Sequence, residues 1–525
     1  MAANDHVIGI DLGTTNSVVA TVLDGEVHVM PDEAGARLQA SMVAFLEDGS
    51  VVVGNGARQE AVVDPINTIY SAKRLIGRHY TSTEVKTALQ QFPFKVVKGK
   101  NQVPLIEVRG ERYGLPEISG MTLRRMKDIA ERYLGQPVGQ AVVTVPANFN
   151  DTQRQMTKLA GHLAGLDVLR VINEPTAAAL AYGYGRDIDA RIAVYDFGGG
   201  TFDITILQVR GNVFEVVSTA GDTFLGGDDF DNRLARYMLL GFKQQHGFGL
   251  EHDPLAFSRL KQVAEKLKCE LSVKDRAIVN VRELALNADG KPCDLRFQVD
   301  RQSVDERCQD IVQRSFLVCD EALRGARMKA EDVDGVVLVG GTTRMPLVRQ
   351  MVAEYFRREP LTDLNPDEVV AIGAAIQGAS LVSDPFEKGA PAQPLLLDVT
   401  PMSLGVQTVS GYFDVLVPRY ASIPCEQTRV FTTTVDDQTT VRLQIYQGES
   451  KVAADNTKLG EIELYGLRAA PRGEVEIEVT FEIDADGMVV VTARDRETGI
   501  EQATRINVSA GYSPDEVEAM IERGI

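Results

Sequence analysis

The chain has 525 residues, 44% of them hydrophobic and 25% charged, which is enough for roughly three or four domain-sized cores of a globular protein. Its net charge of −19 argues against nonspecific nucleic-acid binding, and no apolar run is long enough to span a membrane, so we expect neither nucleic acid nor membrane as a partner. The five cysteines form no CxxC pair and no signal peptide precedes the first strand. This pattern predicts a cytoplasmic protein without disulfides or a zinc site.

The first predicted strand runs into a Gly/Thr turn, Asp11-Leu12-Gly13-Thr14-Thr15-Asn16, and a second β-rich run follows. Two strands joined by such a turn form a hairpin whose backbone N–H groups can surround an anion. Glycine lets the backbone approach phosphate oxygens, threonine adds hydroxyl donors, and aspartate is a hard oxygen ligand for Mg²⁺. The turn is therefore a candidate phosphate site.

Two charged residues follow it in the chain, and both have an ordinary interpretation. Lys73 lies at a basic helix start, and Glu174 precedes a proline that can open a helix. A first-turn acid such as Glu174 is also favoured by the helix dipole alone. From the residues alone, neither position is assigned to catalysis.

The phosphate pattern then occurs a second time, as Asp196-Phe197-Gly198-Gly199-Gly200-Thr201-Phe202-Asp203. A single copy could be a plain strand connection, but two matched copies predict a two-lobed clamp that grips a polyphosphate from both sides. Asp11, Asp196 and Asp203 would hold Mg²⁺ directly or through water. No P-loop sequence occurs, and the partial fingerprint at Gly183-Tyr184-Gly185 lacks its third glycine.

Two further patterns lie downstream. Glu265, Lys268 and Ser272 share one helix face, which by itself is more typical of a solvated stripe. A buried strand followed by paired glycines at Gly340 and Gly341 suggests close backbone approach to a ligand.

The distribution of predicted strands, helices and breaker residues along the chain predicts the domain organisation. Strands and helices alternate over residues 1–386 as in an α/β protein, and the Gly- and Pro-containing stretch 387–398 is typical of a linker. Residues 399–508 are almost entirely β and predict a β-sandwich. A capped helix begins within 509–525, where the sequence ends.

Four motifs together resemble the DnaK-type seventy-kilodalton heat-shock chaperones, and the similarity runs from about Val7 to Glu522. The resemblance implies an actin-like ATPase domain with two lobes, about 1–188 and 189–386, followed by a peptide-binding β-sandwich. The motifs are Ile10-Asp11-Leu12-Gly13-Thr14-Thr15-Asn16-Ser17, Asn173-Glu174-Pro175-Thr176-Ala177-Ala178-Ala179, Asp196-Phe197-Gly198-Gly199-Gly200-Thr201-Phe202-Asp203 and Gly221-Asp222-Thr223-Phe224-Leu225-Gly226-Gly227.

The same resemblance implies ATP hydrolysis with ATP/ADP, Mg²⁺ and K⁺ as cofactors, the ions lying near Asp11, Asp196 and Asp203. Lys73 would lie beside the transferred phosphate, and Glu174, Asp203 and Thr201 would orient the attacking water. The implied nucleotide-binding residues are Gly13, Thr14, Thr15, Asn16, Gly198, Gly199, Gly200, Thr201, Gly226, Gly227, Glu265, Lys268, Ser272, Gly340, Gly341, Thr342, Arg344 and Asp367.

The resemblance also implies partners: extended apolar peptides of unfolded proteins, a J-domain co-chaperone and a nucleotide exchange factor. The implied peptide-channel wall is Val406, Thr408, Phe431, Val441 and Leu443, with Val409 and Thr434 at the arch over the peptide. The implied residues for docking the linker and the J-domain are Arg170, Asn173, Leu395, Leu396, Leu397 and Asp398.

Two departures from the family pattern carry expectations. Pro394 stands where the family has a residue with a backbone N–H, which predicts weaker docking of the linker. Only the first turns of a helical lid are present, which predicts fast peptide exchange.

The leading hypothesis is thus an ATP-dependent chaperone in which ATP binding and hydrolysis allosterically control peptide affinity. A phosphotransferase such as a sugar kinase could use the same clamp, but the linker and β-domain would then have no role. A scaffold that binds ATP without turnover is a third hypothesis, and the presence of Lys73, Glu174 and Asp203 argues against it.

Overall fold

The structure is a computed structural model that describes residues 6–90, 92–383, 393–505 and 512–524. In chain order the first elements are β1 (Val7–Leu12), β2 (Asn16–Leu23), β3 (Glu26–Val29), β4 (Gln39–Ala40), β5 (Met42–Phe45), β6 (Val51–Val53), α1 (Asn55–Val63), β7 (Thr68–Tyr70), α2 (Thr83–Leu89), β8 (Lys95–Lys98), β9 (Pro104–Val108), β10 (Glu111–Gly114), α3 (Leu115–Leu134), β11 (Gln140–Val145), α4 (Asp151–Leu163), β12 (Asp167–Asn173) and α5 (Glu174–Gly183). The main sheet has the order β12-β11-β1-β2-β3, with β4 beside β2.

A second half repeats this arrangement. Its elements are β13 (Asp189–Phe197), β14 (Phe202–Arg210), β15 (Val213–Asp222), α6 (Gly227–His246), α7 (Pro254–Leu271), β16 (Arg276–Leu286), β17 (Pro292–Asp300), α8 (Arg301–Gly325), β18 (Gly335–Val339), α9 (Pro346–Phe356) and α10 (Val369–Val382). The order β18-β13-β14-β15 mirrors β11-β1-β2-β3, because each hairpin has a parallel strand on one side. The sequence duplication is therefore a duplication of sheet topology.

Small residues join the two halves. α10 packs on β1 and β2, α5 packs on β13 and β14, and the two helices pack on each other. A Cβ on Gly373 would lie 1.8 Å from the carbonyl oxygen of Ala177, and one on Gly9 would lie 2.1 Å from the nitrogen of Ala375. Residues at these contacts are thus Ala or Gly because the backbones of the packed elements touch there and leave no room for larger side chains.

The remaining elements form the β-sandwich and a final helix: β19 (Leu395–Val399), β20 (Leu404–Gln407), β21 (Phe413–Val417), β22 (Ser422–Ile423), β23 (Cys425–Thr432), β24 (Thr440–Gln447), β25 (Thr457–Tyr465), β26 (Glu476–Ile483), β27 (Val489–Asp495), β28 (Glu501–Arg505) and α11 (Pro514–Arg523). The two sheets have the orders β21-β20-β24-β25 and β23-β26-β27-β28. Alternating side chains such as Ile445, Val479 and Phe481 fill the core between them. The sandwich prediction is confirmed.

β19 connects the two parts of the molecule. It pairs in parallel with β15, and Leu396 is buried beside it, while β22 pairs with its other edge. Pro394 removes no hydrogen bond from this pairing, because the first donor of the strand is the N–H of Leu395, which bonds to the carbonyl oxygen of Asn212. The expected weakening by Pro394 therefore has no basis in this strand pair.

The sandwich and α11 also contact the first half directly. The ammonium of Lys158 lies 2.5 Å from the carboxylate of Asp486, and Tyr512 and Met520 pack into the core beneath β8–β10. Ser513 caps α11 by accepting a bond from the N–H of Glu516, as its sequence predicts. Across the described parts of the chain, the helices are all too short or too polar to cross a membrane.

Candidate functional site

The two Gly/Thr turns face each other across the cleft between the halves. A Cβ on Gly199 would lie 2.0 Å from the hydroxyl oxygen of Thr15, and one on Gly200 would lie 2.7 Å from the methyl group of Thr14. The turns meet in this way because each joins two central strands of its sheet, β1 to β2 and β13 to β14. Glycines at these positions leave room that any side chain would fill.

Three aspartates lie at the strand ends beside these turns. Asp196 and Asp203 are direct partners across the β13–β14 hairpin, and Asp11 accepts a hydrogen bond of 3.1 Å from the hydroxyl of Thr144. Burial, with the nearby charge of Glu174, raises the pKa of Asp11 to about 7, even though Lys73 opposes the shift. The same two causes, in the same order, raise the pKa values of Asp196 and Asp203 well above the usual range.

Lys73 and Glu174 form a buried ion pair next to these carboxylates. The ammonium nitrogen lies 2.5 Å from Glu174 Oε1, and the two side chains are only 6% and 9% exposed. The same ammonium donates to the carbonyl oxygen of Leu12, directly before the first turn. Glu174 is also the first residue of α5, so its ordinary interpretation as a first-turn acid holds as well.

The carboxylates fit a Mg²⁺ bound through water and phosphate oxygens. Their donors are hard oxygens, burial raises their pKa values although Lys73 opposes the shift, and Asp203 Oδ1 is buried without a hydrogen-bond partner among the described atoms. Within the described ranges, no three His, Cys, Asp or Glu side chains are grouped so that they could hold a metal ion directly.

Two adjoining cavities open from the turns. The smaller has a volume of about 80 Å³ and the larger about 360 Å³. The smaller cavity is lined by many of the site residues predicted from the sequence: Asp11, Gly13, Thr14, Thr15, Asn16, Glu174, Asp196, Gly198, Gly199, Thr201, Gly340, Gly341 and Asp367. The larger cavity is also lined by predicted site residues: Thr14, Thr15, Asn16, Gly199, Glu265, Lys268, Gly341, Thr342, Arg344 and Asp367.

Some predicted nucleotide residues lie just behind these walls. A Cβ on Gly226 would lie 2.5 Å from the carbonyl oxygen of Gly199, and one on Gly227 would lie 2.7 Å from the hydroxyl oxygen of Thr342. Ser272 is the C-cap of α7, and its hydroxyl donates to the carbonyl oxygen of Lys268 rather than facing the cavity. Its nucleotide-binding role, which the family resemblance implies, stays a prediction.

Comparison with protein families identifies the family of the chain. The family model described as Hsp70 protein matches residues 7–524. The chain belongs to the Hsp70 family. Members of this family are ATP-dependent chaperones with an actin-like ATPase domain followed by a β-sandwich, and their ATPase uses ATP and ADP with Mg²⁺.

In this Hsp70, the predicted peptide-channel residues are divided between the two sheets of the sandwich. Val406 on β20 and Val441 and Leu443 on β24 are buried in the sandwich core, whereas Phe431 lies on β23 in the opposite sheet. Thr408 precedes the exposed loop that contains Val409, and Thr434 lies on another exposed loop.

The predicted docking residues of the Hsp70 lie between the ATPase domain, formed by the two halves, and the sandwich. The amide of Asn173 donates to the carboxylate of Asp398 at 2.7 Å, and the guanidinium of Arg154 donates to the amide oxygen of Asn173 at 2.6 Å. Arg170 instead faces the sandwich loop, where its Nε lies 3.9 Å from Asp486. Burial raises the pKa of Asp398, although Arg154 counteracts part of the shift.

Several residues of the site were missed by the sequence analysis. Asn55, Arg58 and Tyr70 reach the larger cavity from the first half, and Cys269 reaches it from α7. Arg58 donates a hydrogen bond of 2.9 Å to the side chain of Asn16. No local motif identifies these residues; only Cys269 could have been noticed, because it follows Lys268 on a helix already singled out.

Proposed function

We propose that this Hsp70 couples ATP binding and hydrolysis to the release of extended apolar peptides from its β-sandwich. The observation that carries the proposal is β19: the linker strand lies in the same sheet as the second phosphate turn, pairing with β15. A strand held by backbone hydrogen bonds ties the position of the sandwich to the shape of that sheet. Nucleotide-dependent changes at the turn therefore have a physical route to the peptide domain.

In the proposed hydrolysis step, the protein positions groups and stabilises charge. The turns would hold the phosphates with backbone N–H groups, and Mg²⁺, when bound, would neutralise charge on the phosphate oxygens. Lys73 would offset the charge that develops on the transferred phosphoryl group. Glu174, Asp203 and Thr201 would orient the attacking water, and one of the two carboxylates would accept its proton. Because water attacks the phosphoryl group directly, no covalent intermediate is needed.

The proposed coupling path begins one residue before the catalytic acid. Asn173 is the N-cap of α5, directly preceding Glu174, and it bonds to Asp398 of the linker strand. Thr176, one turn along, also donates to Asp398, at 3.3 Å. A shift of Glu174 around the γ-phosphate would thus change the contacts that hold the linker.

The remaining functional assignments are also proposals. The sandwich would bind peptides through the apolar residues around Val406 and Phe431, with Val409 and Thr434 forming the arch. The surface around Arg170, Asn173 and Asp398 would receive a J-domain, an exchange factor would accelerate nucleotide release, and K⁺ would accompany Mg²⁺. The five free cysteines agree with the predicted cytoplasmic location.

The decisive experiment measures release of a fluorescent apolar peptide with ADP and with ATP. We expect ATP to speed release in the wild type and to have a much smaller effect in Asp398→Asn, which weakens the bonds to Asn173 and Thr176. Asp414→Asn is the matched control, because Asp414 pairs with Arg429 within the sandwich at 2.6 Å. Equal release with ADP and ATP in the wild type would contradict coupling.

A further inference from the structure

One buried ion pair closes the seam between the two halves beside the phosphate turns. Arg74 belongs to the short 3₁₀ turn Ala72–Arg74 of the first half. Its guanidinium Nη2 donates to the carbonyl oxygen of Gly200 at 2.9 Å and lies 3.1 Å from a carboxylate oxygen of Asp228, both in the second half. The side chains of Arg74 and Asp228 are 4% and 17% exposed, and the guanidinium of Arg74 lies 5.4 Å from the centre of the Phe224 ring.

Asp228 extends this contact into a chain of charges. It is the second residue of α6, and its other carboxylate oxygen lies 3.2 Å from the ammonium of Lys261 on α7. Lys261 in turn lies 5.7 Å from the centre of the Tyr70 ring in the first half. Burial opposes ionisation of Asp228, but Lys261 and Arg74 outweigh it and hold its pKa below the usual range.

The other ion pairs described between the halves near the cleft are weaker candidates for holding it closed. Arg58 and Glu265 are 4.0 Å apart with side chains about two-fifths exposed, and Arg37 and Glu368 are 3.5 Å apart with the arginine 57% exposed. Exposed pairs contribute little because water and salt screen them. Breaking a buried pair is costly because it leaves an uncompensated charge.

We propose that the Arg74–Asp228 pair is a latch that sets the rate at which nucleotide leaves the cleft. Both cavities are lined from the two halves, so a bound nucleotide leaves only when the halves separate and this pair breaks. Arg74 is a positioning residue, since it acts through Gly200 and Asp228 rather than through the reacting atoms. The inference rests on the proposed function, because it requires the nucleotide to occupy this cleft.

Release of a fluorescent ADP analogue, measured by stopped flow, tests the latch. We expect Asp228→Asn and Arg74→Gln each to raise the dissociation rate about tenfold, the size typical of a lost hydrogen bond between charged groups. The effect of the double variant should fall well short of the product of the two single effects, since both single variants remove the Arg74–Asp228 interaction. The matched control is Asp310→Asn, because Asp310 pairs with Arg233 at 2.9 Å within the second half.

Several results would overturn the latch. Release rates within about twofold of the wild type in both single variants would do so, as would strictly additive effects in the double variant. If a single variant does not fold, as judged by circular dichroism, Arg74→Lys is measured in its place. ADP release several-fold faster than in the wild type then supports the latch, and release at the wild-type rate contradicts it. A wild-type protein that does not bind the ADP analogue refutes the proposed function itself, which separates the two failures.

Discussion

The amide of Asn173 donates to the carboxylate of Asp398 at 2.7 Å, and Asn173 is the residue immediately before Glu174. A single peptide bond thus separates the residue that holds the linker from the acid paired with Lys73. Burial raises the pKa of Asp398, and Arg154, which also bonds to Asn173, limits the shift.

Replacing Lys73 by alanine should separate nucleotide binding from hydrolysis. The substitution removes the ammonium that pairs with Glu174 and bonds to Leu12, so we expect single-turnover hydrolysis to fall by about 100-fold or more. ADP affinity should change only a few-fold, since the turns and the larger cavity remain. Lys243→Ala, which removes an exposed pair with Glu251, is the control; hydrolysis at the wild-type rate in Lys73→Ala would remove Lys73 from the mechanism.

Docking of the sandwich should depend on pH through Asp151. This carboxylate is buried at the interface, where it accepts the N–H of Val489 at 2.9 Å. Burial raises its pKa to about 7, with Val489 and Arg154 opposing the shift and Asp484 of the sandwich adding to it. Because the docked state holds the proton more tightly, this group favours docking at low pH, and its contribution is lost as the pH rises from about 4 through 7.

The measurement is energy transfer between dyes on the ATPase half and the sandwich, from about pH 5.5 to 8 with ATP. We expect the docked fraction of the wild type to fall over this range more steeply than that of Asp151→Asn, which stays neutral and can still accept the bond from Val489. Identical slopes for the two proteins would show that Asp151 does not titrate with docking.

Cys269 should report nucleotide occupancy. It is the exposed cysteine of the five and lines the larger cavity, next to Lys268. Partial burial of the thiol raises its pKa, so alkylation is best followed near pH ~8.5. We expect ADP to slow alkylation of Cys269 at least about fivefold by direct cover, while Cys425 in the sandwich reacts unchanged. Labelling of Cys269 that ignores ADP would place the nucleotide outside this cavity.

Gly373→Ala should destabilise the ATPase domain, because Gly373 lies at the contact between its two halves. The added Cβ would meet the carbonyl of Ala177 at 1.8 Å, and a backbone atom cannot move aside as a flexible side chain can. We expect a loss of about 1–3 kcal/mol in the free energy of unfolding, the usual cost of overpacking. Urea unfolding followed by circular dichroism gives the value, with Gly139→Ala as control, since nothing lies within 4 Å of its Cβ position. Equal urea midpoints for Gly373→Ala and the wild type would mean that α5 and α10 can move apart without a cost in stability.

Local patterns in the sequence predict the elements that carry the site. The two Gly/Thr turns, the alternation in β24 and β26 and the cap at Ser513 each reflect a few neighbouring residues, and the structure contains all of them. Alternation cannot distinguish a core residue from a channel residue, however, because both face inward. Val441 and Leu443 follow the pattern and lie in the sandwich core, and their assignment to a peptide channel, which rests on the family resemblance, stays a prediction.

Contacts between distant parts of the chain could not be predicted in this way. Asp151 and Val489 are separated by 338 positions, and Arg74 and Gly200 by 126. Such pairs depend on how whole sheets and domains pack, and nothing in the residues around Arg74 or Asp151 distinguishes them from ordinary helix residues. The contact between the two halves at Arg74 and the contact of Asp151 with the sandwich are therefore visible only in the structure.

The pairing of β19 with β15 has a consequence for the state in which the linker leaves. Departure of the strand would uncover the sheet edge along Val213, Phe214 and Glu215, together with the apolar face against which Leu396 packs. Uncovered edges of this kind pair readily with strands of other molecules. While β19 is docked, it covers this edge; in the proposed cycle, each undocking would open the edge to pairing with strands of other molecules.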